Sequence, residues 1–184
     1  MKNITGGNTL LDVDFILKKT QIGDGMKIAD LGCGILGHFV FPASRLVGKR
    51  GSVYAVDILK TILQTIDKKI KQDNIKNVQT VWSNLEVFNA TKIEQGSLDV
   101  AFLINILYQS HKRVEIVREA TRLLKKGGIL LVVEWKKIAS PFGPPLEERI
   151  NLEALKFGAK KLGLKTENEF EAGKYHFGIL FCKM

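Results

Sequence analysis

The chain is poor in the residues that build specialised scaffolds: its 184 residues include two cysteines, Cys33 and Cys182, three histidines and four prolines. Two thiols so far apart exclude a disulfide framework and lack the close spacing of a metal motif, so no metal is expected and a reduced, cytoplasmic setting is. Long apolar runs are lacking too. The longest, Val100 to Tyr108, has nine residues with Asn105 inside it, far short of the roughly 20 that a bilayer-crossing helix needs. The opening Met1-Lys2-Asn3-Ile4-Thr5-Gly6-Gly7 has no apolar core of the kind a secretory leader carries. There is no internal repeat and no low-complexity tract.

Acidic residues are the scarcer sign of charge, 19 against 28 Lys and Arg, for a formal net charge of +9 and a pI near 9.5. That balance raises the idea of an RNA partner. The lysines are scattered, however. Lys68, Lys69 and Lys71 share one expected helix, Lys125-Lys126 a turn, Lys136-Lys137 a strand exit and Lys160-Lys161 another helix. Scattered lysines without interleaved aromatics read as solvated faces, which favours a small-molecule partner over RNA.

What is present is concentrated in Asp30-Leu31-Gly32-Cys33-Gly34-Ile35-Leu36-Gly37. Met26 to Ala29 reads as a short buried strand, and His38 to Val47 as the start of a helix, so three glycines occupy a strand-to-helix turn. Glycine there allows a sharp bend, close approach of backbone N–H groups to a ligand, and tight seating of the helix. A second strand, Ser52 to Val56, stops at Asp57, 20 residues beyond Gly37. A carboxylate at that point can accept both hydroxyls of a ribose. The glycine spacing also fits a nicotinamide site, but Asp30 argues against it. A pyrophosphate is repelled by a carboxylate in the turn, whereas a ligand with a cationic amino acid end is attracted by roughly 1 to 4 kcal/mol.

The alternation of strand and helix continues. Lys60 to Gln72 carries Ile62, Leu63, Ile66 and Ile70 on one face, and Val114, Val117, Thr121 and Leu124 repeat that pattern before Gly127-Gly128. Leu10 to Lys18 and Glu147 to Leu162 are expected helices. Such a succession predicts parallel strands with right-handed crossovers, an α/β doubly wound sheet with its ligand at the strand carboxyl ends. Leu164 to Phe170 and His176 to Lys183 are joined too closely for a helical crossover and must pair antiparallel if they pair directly. The length fits a single domain, residues 1–184. In it, 1–25 form a lead-in with a helix, 26–135 a cofactor-binding core, and 136–184 a substrate-side loop, helix and hairpin.

From Met26 to Lys183 the chain resembles the class I S-adenosylmethionine-dependent methyltransferases. Asp30-Leu31-Gly32-Cys33-Gly34 looks like their first motif, Val78 to Trp82 their third strand, and Ser83-Asn84-Leu85-Glu86 the turn beside the adenine. Ser97 to Tyr108 looks like the fourth strand and its exit, and Leu123 to Glu134, across Gly127-Gly128, like the helix-turn-strand that follows. The resemblance implies a mostly parallel seven-stranded sheet with an antiparallel C-terminal hairpin and helices on both faces. It assigns to S-adenosyl-L-methionine the residues Asp30, Gly32, Cys33, Gly34, Gly37, Asp57, Ile58, Asn84, Leu85 and Asn105. The family's usual third glycine falls at Leu36, and here it comes one residue later. Asn84 stands where an aspartate is common, and its carbonyl oxygen can still accept from an exocyclic amine.

Methyl acceptor groups are expected at the exits of the fourth and fifth strands. Tyr108, His111 and Glu134 are the candidates, each with a plain structural alternative: a core or lid aromatic, a solvated helix residue, a carboxylate orienting backbone. His38 reads as a cofactor-loop residue and His176 as a strand residue. The loop Lys136 to Pro145, with three of the prolines, is expected to arch over the mouth. Asn105-Ile106-Leu107-Tyr108 replaces the Asn/Asp-Pro-Pro-aromatic signature of the amino-methylating enzymes, so the chain is more similar to small-molecule types, including those of quinone biosynthesis and of arsenite. Arsenite chemistry needs more thiolates than two. An RNA methyltransferase, a nicotinamide-binding oxidoreductase and a catalytically silent cofactor-binding subunit remain alternatives, and the oligomeric state, a homo-oligomer included, stays open.

Overall fold

Residues 10–184 are described by a computed structural model. Seven strands form one sheet: β1 (Lys27–Leu31), β2 (Ser52–Asp57), β3 (Val78–Trp82), β4 (Leu98–Ile104), β5 (Leu124–Trp135), β6 (Leu164–Gly173) and β7 (His176–Lys183). Their order is β3-β2-β1-β4-β5-β7-β6. The first five pair in parallel, and β7 runs antiparallel between β5 and β6. The chain winds outward from β1 to β3 and returns to lay β4 on the other side of β1. The switch point therefore lies between β1 and β4, where a crevice opens at the strand ends.

Strand alternation feeds two cores. Ala29, Leu31, Ala101, Leu103, Leu130 and Val132 face one side, against α4 (Arg113–Leu123) and α5 (Leu152–Lys161). Their neighbours Ile28, Val100, Phe102, Leu131 and Val133 face the other, against α1 (Val13–Lys19), α2 (Val40–Leu46) and α3 (Lys60–Gln72). With both faces covered, β1 and β4 are almost wholly apolar, as parallel strands must be.

Four boundaries differ from expectation. The helix expected over Leu10 to Lys18 starts, among the described residues, at Val13, because the Asp12 carboxylate accepts from the Phe15 N–H at 2.9 Å and caps it. The helix expected from Glu147 starts at Leu152: Asn151 caps it through the Ala154 N–H at 3.0 Å, while Arg149 and Ile150 are buried in non-helical backbone. No separate turn follows α4. β5 begins at Leu124, and its register jumps from Leu98↔Leu124 to Val100↔Ile129 around Gly127, whose φ is +77°. β6 runs on to Gly173, so the hairpin turn is only Lys174-Tyr175. A Cβ at Gly173 would stand 2.3 Å from the Leu10 carbonyl oxygen.

Among the described residues no helix is long and apolar enough to cross a membrane. The leader-free reading of Met1 to Gly7 lies outside the described residues.

Candidate cofactor and acceptor site

At the switch point the carboxyl ends of β1 to β4 enclose a cleft of about 490 Å³, within the range that takes a nucleoside-sized ligand. Asp30 comes to it from β1, Gly32, Cys33 and Gly34 from the turn beyond, and Asp57 and Ile58 from the end of β2. Asn84 and Leu85 follow β3, and Asn105 and Tyr108 follow β4. Ten of the sequence-derived candidates thus border one cavity.

The turn is wired differently from the expectation that its backbone would face a ligand. Gly32 and Cys33 both donate N–H to the Val56 carbonyl, at 2.8 and 3.0 Å. The Gly34 N–H donates to Asp57 Oδ2 at 3.3 Å, and the Leu59 N–H to its Oδ1 at 2.9 Å. An anion needs free donors at such a turn. Here those of Gly32, Cys33 and Gly34 are spent on the neighbouring strand, and two buried carboxylates stand beside them. Gly32 is essential to this path: at φ +90°, a Cβ would lie 2.1 Å from Ile106 Cδ1.

Asp30 is 2% exposed. Burial, and behind it the charge of Asp57, pushes its carboxyl up to about 7. A carboxylate so placed gains most from a cationic ligand group. The Cys33 thiol is pushed far above its ordinary value by burial and by both aspartates, which makes it an inert wall residue.

On the other side Asn105 adopts φ +55°. Its N–H donates to the Val133 carbonyl at 2.9 Å and its carbonyl accepts from Gln109 Nε2 at 2.6 Å, yet its buried Oδ1 has no partner. A left-handed asparagine with an orphaned acceptor beside a cavity is local strain and an unmet hydrogen bond at the same place. Asn84 Oδ1, expected to face an exocyclic amine, already accepts from the Glu86 N–H at 3.0 Å and keeps one lone pair.

Three candidates fall outside the cleft. Gly37 does not line it: at φ +56°, a Cβ would press on Phe41 Cε2 at 2.7 Å, so its absence of a side chain seats α2. His111 is exposed, ahead of α4. Glu134 is fully buried behind the cleft, where Oε1 accepts from the Leu107 N–H at 2.6 Å and Oε2 has no partner. Burial raises its carboxyl to about 7. It holds the 3₁₀ turn Leu107–Gln109, which carries Tyr108 into the cleft. Burial, then the charge of Glu134, raises the Tyr108 hydroxyl. His176 is also buried, ring against Trp135 at 4.1 Å, with both nitrogens unpartnered and its pKa lowered to about 4. His38 lines the cleft.

The loop Lys136 to Pro145 does not cover the mouth, since none of its residues borders the cleft. Arg149, 3% exposed, draws it inward by donating to the carbonyls of Lys136, Ile138, Phe142 and Pro144. Gly143 sits flat on the Trp135 ring. Leu11, just ahead of α1, and Val13, its first residue, border the cleft instead, with Glu86, Gln109 and Ser110. Gln109 and Ser110 adjoin Tyr108 in sequence and were within reach of the motif. Leu11 and Val13 arrive through tertiary folding and carry no local signal.

A sheet of this order, with an acid-bordered glycine turn at its switch point, is the Rossmann-like fold of the S-adenosylmethionine-dependent methyltransferases. The family model described as a methyltransferase domain matches residues 22–174, and the chain belongs to that family. Its structure is similar to that of a SAM-dependent methyltransferase from Aquifex aeolicus, with a TM-score of 0.86, 25% identity, and 95% and 91% of the two chains covered. A demethylmenaquinone methyltransferase of Lactococcus lactis is 31% identical over 116 residues, 62% of this chain and 44% of that protein. A ubiquinone/menaquinone biosynthesis C-methyltransferase of Pasteurella multocida is 29% identical over 162 residues, 88% and 58% respectively. The chain spans about half the length of these curated relatives. S-adenosyl-L-methionine is the cofactor, and the nicotinamide alternative is set aside.

Proposed function

We propose that the protein methylates a small-molecule acceptor held between the cofactor and the turn after β4. The observation that carries this reading is the cleft itself: two buried carboxylates, a glycine turn whose Gly32, Cys33 and Gly34 N–H groups are taken by β2, and an acceptor end bordered by Ile106, Tyr108, Leu11 and Val13. The curated relatives named above are a demethylmenaquinone methyltransferase and a ubiquinone/menaquinone biosynthesis C-methyltransferase, which supports a small-molecule acceptor.

The residues present fit the cofactor. Asp30 holds its ammonium group, Asp57 accepts from the ribose hydroxyls with lone pairs left beside Gly34 and Leu59, and Ile58, Asn84 and Leu85 bound the adenine. The orphaned Asn105 Oδ1 gains a donor when the cleft is filled. The sulfonium supplies a methyl carbon already activated for displacement. What this chain adds is position: holding an acceptor atom in line with that carbon is worth about 7 to 11 kcal/mol. Tyr108, held neutral by its raised pKa, and Ser110, which donates to Glu86 Oε1 at 2.7 Å, offer polar groups to orient the acceptor.

The test is incubation with methyl-labelled cofactor and a fractionated cell extract. Label entering small metabolites supports the reading. Label confined to RNA or protein, or none with any pool, overturns it.

A further inference from the structure

Large apolar side chains stand half exposed around the cofactor side of the cleft mouth. Ile35 and Leu36, in the turn after β1, are 55% and 48% exposed, Ile58 and Leu59 after β2 are 51% and 55%, and Trp82, closing β3, is 51%. Val87 and Phe88, just beyond the cleft-lining Asn84 to Glu86, are 51% and 52% exposed. The loops that bear them are laced together around the cleft. Asp57 accepts from Gly34 and Leu59, its carbonyl accepts from the Ser83 N–H at 3.1 Å, and the Trp82 indole donates to the Ile58 carbonyl at 2.8 Å. Exposed apolar groups are usually scattered singly, and a series of them on loops tied around one cleft mouth marks a surface that meets something apolar.

We infer that this rim seats the mouth of the cleft on an anionic lipid surface. Two observations choose that occupant. The first is charge: the chain carries +9, and Lys60 and Lys92, beside the rim in sequence, are exposed and form no ion pair among the described residues. Apolar groups flanked by lysines, with an aromatic indole among them, suit a headgroup boundary. The second is geometry. A second copy or a folded partner clamped on the rim would seal the opening through which cofactor and acceptor pass, whereas a fluid surface leaves it usable. RNA fits less well, because Ile, Leu and Val offer no stacking plane and two free lysines make no phosphate-tracking groove.

The test compares the natural chain with a Leu36→Ser/Val87→Ser/Phe88→Ser variant, three residues that do not line the cleft. Co-sedimentation is measured with equimolar phosphatidylglycerol–phosphatidylcholine vesicles and with phosphatidylcholine alone, in low and high salt. S-adenosylhomocysteine must stabilise both proteins against heat equally, which keeps this test independent of the acceptor. Binding to the anionic vesicles that falls about three- to tenfold per residue removed, and survives in part in high salt, supports the inference. No vesicle binding, binding that the variant retains, preferential binding of RNA, or self-association that the variant loses each overturns it.

Discussion

Replacing Asp30 with asparagine should stabilise the free protein and weaken its hold on the cofactor. An unfolded aspartate titrates near 3.8, while burial and the neighbouring Asp57 raise Asp30 to about 7 in the folded chain. Between those values the unfolded chain has lost a proton that the native state keeps, so stability falls as pH rises from about 4 to about 7 and levels off above. At about 1.4 kcal/mol for each unit of pH, that interval amounts to about 4 kcal/mol. Asp30→Asn is isosteric with the protonated acid. Its unfolding free energy in urea should match that of the natural chain near pH 4 and exceed it by up to about 4 kcal/mol near pH 8 at an unchanged m-value. Affinity for S-adenosylhomocysteine should move the opposite way, falling about tenfold or more near pH 8 as the ammonium loses its counter-charge. In the natural chain that affinity should rise with pH through 7, because binding expels the proton. If the variant is no more stable near pH 8, the carboxylate is not penalised by burial. If it binds the ligand undiminished, Asp30 does not hold the ammonium.

Other residues give sharper structural tests. Gly32→Ala should abolish cofactor-induced thermal stabilisation, since its Cβ would overlap the Ile106 side chain, while Gly34→Ala, with no atom within 4 Å of the added carbon, should cost only about 1 kcal/mol of backbone strain. Glu119→Ala should cost about 3 to 5 kcal/mol in urea unfolding. It leaves Arg122 buried without its carboxylate and strips the Asn89 and Thr91 N–H groups of their acceptor. Arg149→Met should open the Lys136 to Pro145 loop to limited proteolysis and leave methyl transfer nearly intact, because that loop does not border the cleft. A large loss of activity without unfolding would show that the loop gates the site.

The elements that set the cofactor end were legible because each is written in local chemistry. Ser52–Asp57, Lys60–Gln72 and Val78–Trp82 have the boundaries the sequence suggests, since a β-branched run, an amphipathic period and glycine or polar breaks all fall within a few residues of one another. The failures have a common cause in distant contacts. Glu147 to Arg149 has helical composition, but Arg149 is taken by four loop carbonyls and Asn151 caps a later start. The proline loop looks like a lid in sequence, yet the same arginine folds it onto Trp135. The use of the glycine turn's N–H groups on Val56 depends on the register of β1 against β2, which the sequence implies only once the two strands are placed.

In the proposed site that register contributes to selectivity. A glycine turn with free N–H groups is indifferent to which anion it meets, and the motif alone fits a diphosphate as well as an amino acid end. Here Val56 and Asp57 take the Gly32, Cys33 and Gly34 donors, and burial makes Asp30 costly to ionise. Discrimination in the proposed site is thus built from repulsion and the loss of those three donors as much as from attraction. Glu134 repeats the arrangement one layer behind: a second buried carboxyl with a spare oxygen spans from β5 to the Leu107 N–H and fixes the turn that presents Tyr108. Two acids raised to about 7 at the ends of β1 and β5 lower the stability of the empty fold at neutral pH. Only the one in the cleft can recover that loss by binding a cation, so ligand stabilisation should depend on Asp30 and the rigidity of the acceptor side on Glu134.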